Sequence, residues 1–103
     1  MAKSISYQKY LLESLKNPEE AAGYLNAALE VGDTRGFLIA LKNVIDAQGG
    51  MKQLAETAHK SRTSLYKMVS ERGNPYLITT HEVLAAMGMH LIVKPDEQSR
   101  RSQ

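Results

Sequence analysis

The sequence predicts an all-α protein, a small helix bundle with a possible short C-terminal strand, and two observations carry the helical reading. Apolar residues recur at helical spacing in segment after segment. Breaks at Asn17-Pro18, Gly32-Asp33, Gly49-Gly50 and Gly73-Asn74-Pro75 cut the chain at helix-length intervals. The run "MHLIV" (residues 89–93) is short, β-rich and followed by Pro95, so it reads as a brief strand, one that could pair with another copy of itself.

The elements follow in order. A first helix spans about residues 7–15, with Tyr7, Leu11, Leu12 and Leu15 on one side. Asn17 can cap the second, Pro18 suits its first position, and Glu19 and Glu20 favour its positive end. Ala21, Ala22, Leu25, Ala28 and Leu29 hold the helical period there until Gly32 stops it. Asp33 caps a third helix that presents Phe37, Leu38, Leu41, Val44 and Ile45 on one face and ends at Gly49-Gly50. A short fourth helix carries Met51, Leu54, Ala55 and Ala58 at helical spacing. A three-residue connection over residues 59–61 leads to a fifth, with Leu65, Met68 and Val69 as its buried stripe. After the loop "GNPYLI", Thr79 and Glu82 have the spacing of a capping box for a last helix, which turns Val83, Leu84 and Met87 inward and closes at Gly88.

A chain of 103 residues suits one domain with a modest core, here residues 1–94, followed by a loose polar tail over 95–103. The 43% apolar content excludes a disordered or membrane-spanning composition, and the longest apolar stretch, residues 83–89, is too short for a bilayer. The start "MAKSISYQK" lacks the apolar core of a secretory signal, and no cysteine is present for disulfides or thiolate metal sites, which together fit a cytoplasmic protein. The net charge of +2 is small, but its distribution is uneven. Residues 1–50 carry five Lys/Arg against six Asp/Glu, and residues 73–103 carry three of each. Residues 51–72 carry five (Lys52, Lys60, Arg62, Lys67, Arg72) against two (Glu56, Glu71). That segment is an electrostatic footprint for a polyanion, unless it is a solvated helix pair with a chance excess of lysine.

Two short helices joined by a tight turn, apolar inside and basic outside, describe a helix-turn-helix. Ala55 is small where the first helix must approach the second. Four residues on, His59 takes the turn position that usually adopts a left-handed backbone, where glycine is the usual residue. Leu65 falls ten residues after Ala55, where the second helix turns an apolar side chain inward. Duplex DNA would require base-reading side chains at the start of the second helix and phosphate donors around it. Ser61 is a natural cap, and Arg62 lies in the first turn with the reach to enter a groove. Thr63, Tyr66, Lys67 and Ser70 fall on the side away from Leu65 and Val69. Lys52, at the positive end of the first helix, and the backbone at Gly73-Asn74 are placed for phosphates.

Structural roles compete with each of these. Tyr66 could pack against Pro75 or Tyr76 instead, Lys60, Lys67 and Arg72 could be plain solvated side chains, and Ser61 caps a helix whatever else it does. Chemistry is poorly represented. His59, His81 and His90 stand in different elements without metal-ligand spacing, so no metal site or cofactor is expected. Gly49-Gly50 lacks the following Lys-Ser/Thr of a phosphate loop, Glu19-Glu20 sits where a helix start favours negative charge, and no nucleophile has a base beside it. An enzyme is not expected.

The stretch "GMKQLAETAHKSRTSLYKMVSERGNPYLITTHEVLAAMGMHLIV" resembles the C-terminal half of the probable addiction-module antidote proteins. These are small HigA-like members of the XRE/Cro-CI helix-turn-helix class, lambda-repressor-like in fold. Upstream, "NPEEAAGYLNAALEVGD" resembles their N-terminal part, so the likeness covers about residues 15–94, most specifically in "YLNAALEVGD" and "SLYKMVSERGNP". The sequence departs from the family pattern at His59, where glycine is more usual. The resemblance implies the antitoxin of a type II toxin–antitoxin pair, encoded beside a RelE/HigB-like toxin that cleaves messenger RNA. Such antitoxins neutralise the toxin and bind operator DNA, here as a homodimer, to repress their own operon. By position, DNA reading falls on Arg62, Thr63, Tyr66 and Lys67 behind the cap Ser61, and phosphate contact on Lys52 and Asn74. A free-standing phage-type or host regulator without a toxin is the alternative, and a protein-interaction module with an acidic partner is another. Residues 1–32 lie outside the minimal DNA-binding unit and either contact the toxin or complete the core.

Overall fold

The computed structural model describes residues 2–70 and 74–96, and every regular element among them is helical. The order is α1 (Ala2–Ser14), α2 (Pro18–Val31), α3 (Thr34–Ala47), α4 (Gly50–Ala58), α5 (Arg62–Met68) and α6 (Leu77–Ala86). The all-α expectation holds. The expectations for the Gly73 backbone, for Arg72 and for the tail beyond Asp96 lie outside the described residues.

α3 is the central helix because its apolar face is the widest. Phe37, Leu38, Ala40, Leu41, Val44 and Ile45 are all buried. α1, α2 and α4 pack on α3, while α5 and α6 pack on α4. One apolar cluster runs through the bundle from Leu15, Ala21 and Leu25 to Leu65, Met68, Val69, Val83 and Leu84. α2 is therefore part of the core, whatever else it does.

Local chemistry sets most helix boundaries. The Asn17 side chain accepts from the backbone N–H groups of Glu19, at 2.8 Å, and Glu20, at 3.3 Å, so α2 starts where Pro18 fits. Asp33 accepts from the Arg35 N–H at 3.2 Å and starts α3. Gly32 ends α2 with φ +80°, a left-handed conformation that glycine adopts without steric cost. Gly49 has φ +120°, a conformation that side-chain-bearing residues rarely adopt, and a Cβ there would also push aside the exposed end of the Gln53 side chain. Polar side chains tie the helices together. Gln48 donates to the carbonyls of Leu15 (2.8 Å) and Lys16 (3.2 Å) after α1. Asn43 donates to the Tyr24 hydroxyl at 3.0 Å and accepts from Gln8 at 3.2 Å, joining α3 to α2 and α1.

Several expectations fail. Tyr7 is 65% exposed and does not share the buried side of α1 with Leu15. The Thr79–Glu82 capping box does not form, because α6 begins earlier, with Tyr76 as its cap residue. Thr80 is buried inside the first turn and donates its hydroxyl to the Tyr76 carbonyl at 3.0 Å. Glu82 is instead taken up by Lys60, at 2.9 Å. "MHLIV" forms no strand among the described residues, since a strand needs a ladder partner and every described element is helical. Met89 and Leu91 pack against the core, while Ile92 and Val93 are exposed.

Candidate nucleic-acid interface

The pair α4–α5 is built from short-range signals. Met51 and Leu54 fix α4 to the core, and Leu65 and Met68 fix α5. The turn between them depends on His59, which ends α4 at φ 56°, ψ 45°, left-handed as its spacing from Ala55 predicts. The Ala55 carbonyl accepts from the N–H groups of both His59 and Lys60, the latter at 3.0 Å, and so closes the end of α4. Ser61 then caps α5. Its Oγ accepts from the Ser64 N–H at 3.1 Å, and the Ser64 hydroxyl donates back to the Ser61 carbonyl at 3.1 Å.

This geometry decides what faces outward. With Leu65, Met68 and Val69 buried, Ser61, Arg62, Thr63, Tyr66 and Lys67 are all exposed. Tyr66 is 52% exposed and does not line the hollow where Pro75 and Tyr76 approach α5. Lys52 is exposed in the first turn of α4, where Gly49 supplies no side-chain cap. Asn74 is exposed and lines the same hollow as Lys67. The structure thus brings Lys67 and Asn74 to one hollow, and it puts Ser61, Arg62, Thr63, Tyr66 and Lys67 on the outer side of one helix.

Lys60 leaves this set. It is mostly buried and holds Glu82 of α6, so its charge is balanced internally rather than solvated. Lys52, Arg62 and Lys67 have no ion-pair partner among the described residues. Among the described residues their charge is therefore unbalanced, as an anionic partner would require.

Sequence reasoning missed part of the surroundings. A hollow of about 460 Å³ lies between α5 and the start of α6, where Met68 and Pro75 as well as Ser64, Ser70, Tyr76 and Thr79 line it beside Lys67 and Asn74. The Ser64 and Ser70 hydroxyls there donate to the Ser61 and Lys67 carbonyls, at 3.1 and 2.8 Å, which leaves the Lys67 ammonium as the charged donor beside the hollow. Thr79, which the sequence offers as a helix cap, is instead half-buried on this hollow's wall. Among the described residues no group of three His, Asp or Glu side chains gathers as a metal site would require. No helix among them is long and apolar enough to cross a membrane.

The class these features define is a small helical bundle with a surface-mounted basic helix pair and no cluster of metal-ligating side chains among the described residues. The chain belongs to the family of probable addiction module antidote proteins, whose model matches residues 6–95. It is also 36% identical over 88 residues to a protein of Haemophilus influenzae described only as uncharacterized, covering 85% of this chain and 87% of that one. No solved structure matches it. An antidote of an addiction module antagonises a toxin, so a cognate toxin is the partner that membership implies. Antidote proteins are in general not enzymes.

Proposed function

We propose that this protein is the antitoxin of a type II toxin–antitoxin pair that neutralises a RelE/HigB-like toxin in the cytoplasm and represses its own operon. In this reading α4 and α5 are a helix-turn-helix of the XRE/Cro-CI class. The observation that carries the DNA-binding part is the left-handed turn at His59, after which Arg62, Thr63, Tyr66 and Lys67 of α5 are exposed, with no ion pair to Arg62 or Lys67 among the described residues. Arg62, in the first turn, enters the major groove and can bond guanine with two donors. Thr63 offers a hydroxyl and a methyl to base edges, and Tyr66 and Lys67 extend the contact along the helix. Lys52 and Asn74 take phosphates on either side, and Ser61 keeps the start of α5 in register. A helix of seven residues reads only a few base pairs, so two copies on a symmetric operator supply the affinity. Ile92 and Val93 are the candidate for joining the copies, since they lie exposed on irregular backbone beyond the core-facing Met89 and Leu91.

The test is co-expression with the small protein encoded beside this gene. Growth arrested by that protein should be restored. A toxin that stays lethal while this chain is abundant and folded would leave the alternative, a free-standing regulator without a toxin.

A further inference from the structure

The basic pair α4–α5 occupies one part of the surface, and the charge pattern along α2 is opposite. Residues 17–34 hold Glu19, Glu20, Glu30 and Asp33 and no lysine or arginine. The same segment borders the molecule's main apolar groove. One hollow of about 290 Å³ lies along α2 against residues 88–91, and another of about 390 Å³ continues it toward Leu77. The two share Leu29, Phe37 and Leu91, so they form one trough with Leu91 between them. Phe37, Leu25 and Leu84 are buried in its floor, whereas Leu29 is 46% and Leu77 is 74% exposed on its walls.

The helical period places the acidic residues on this trough. Glu19 and Asn26 line it directly, and Glu30 follows Asn26 by one turn on the same edge of α2. Glu20 points to the other side of the helix. Among the described residues, the ion pairs Glu13–Lys16, Lys42–Asp46 and Lys60–Glu82 use no carboxylate of α2. An apolar trough with a carboxylate edge fits one kind of occupant, a segment with an apolar stripe flanked by lysine or arginine. A second copy of this chain would instead bring the same acidic edge against itself.

We propose that this trough, between α2 and residues 88–91 and edged by Glu19 and Glu30, is where the toxin docks, through a basic segment with an apolar stripe. The inference rests on the antitoxin reading above. A toxin that acts on RNA must carry a basic surface to hold a polyanion. An antidote that covers such a surface needs acidic edges around an apolar contact, and it needs them away from the basic helix it offers to DNA.

Two variants test it, Leu29→Arg in the wall and Glu30→Lys on the edge. Both residues are exposed, and a lysine near the C-terminal end of α2 suits that helix's negative pole, so neither should unfold the protein. Calorimetric titration with the purified toxin from the adjacent gene gives the affinity, with a thermal melt and an operator titration for each variant. Leu29→Arg should weaken toxin binding at least tenfold. Glu30→Lys should weaken it severalfold at low salt and much less at high salt. Operator affinity should stay unchanged in both. Toxin affinity equal to wild type in both folded variants overturns the proposal. So does a variant that splits a homodimer while holding toxin normally, since the trough then belongs to a second copy. If the wild-type protein itself binds no toxin, the antitoxin reading fails first, and that result is distinct from the others.

Discussion

Ser61 closes the N-terminus of α5 with its hydroxyl, and that contact can be separated from DNA binding. Ser61→Ala should cost about 1 kcal/mol of stability, read from a denaturant titration. Ser61→Asp should keep the cap, since aspartate is as good an N-cap as serine, yet weaken DNA binding because it sets a negative charge beside the base-reading turn. Deep in the core, Leu41 is fully buried, and Leu41→Ala should cost about 2–5 kcal/mol by the same titration. Arg62 and Lys52 separate sequence reading from charge. Arg62→Ala should weaken operator binding by about 1–3 kcal/mol and narrow the gap to a scrambled duplex. Lys52→Ala should weaken both duplexes alike and make the salt dependence shallower by about one unit. Full discrimination retained by folded Arg62→Ala would remove α5 as the reading helix.

At the scale of elements, the α4–α5 turn makes its own prediction. His59 holds a left-handed backbone that a branched or bulky residue tolerates poorly. His59→Gly should stabilise the protein by about 0.5–1 kcal/mol, and His59→Val should destabilise it, both measured by thermal melt. Breaking the Lys60–Glu82 pair with Glu82→Gln should cost under about 1 kcal/mol, because Glu82 is half exposed. These elements also mark what the sequence discloses. Asn17, Asp33, His59 and Ser61 were legible because each acts on backbone within a few residues of itself. Thr79 and Glu82 had the right spacing for a cap, but Glu82 was claimed by a lysine 22 positions upstream, which no local pattern shows. Tyr7 fell on the apolar side of its helix by period and is still exposed, because burial depends on how far α3 extends beneath α1. "MHLIV" has strand composition without a strand partner among the described residues. The outward residues of α5 were legible as a face. The DNA contact proposed for them rests on charge and on the resemblance to helix-turn-helix antitoxins, because exposure is shared by every solvated side chain.

Over the whole molecule, a basic helix pair and an acidic, apolar trough are carried on one core. That arrangement suits a protein with two partners of opposite charge, nucleic acid at one surface and toxin at another. If two copies bind a symmetric operator, their half-sites should lie one helical turn apart, about 10 base pairs centre to centre. Light scattering should give a dimer on that duplex, and a monomer both free and bound would refute the paired arrangement. The most direct test is a titration of the duplex upstream of this protein's own gene against a scrambled duplex of equal length and composition, at several salt concentrations. The account predicts tight, salt-sensitive binding to the first and an affinity for the second lower by a factor of about 1,000 or more. Equal affinity for the two duplexes, or no binding to either by folded protein, would contradict it.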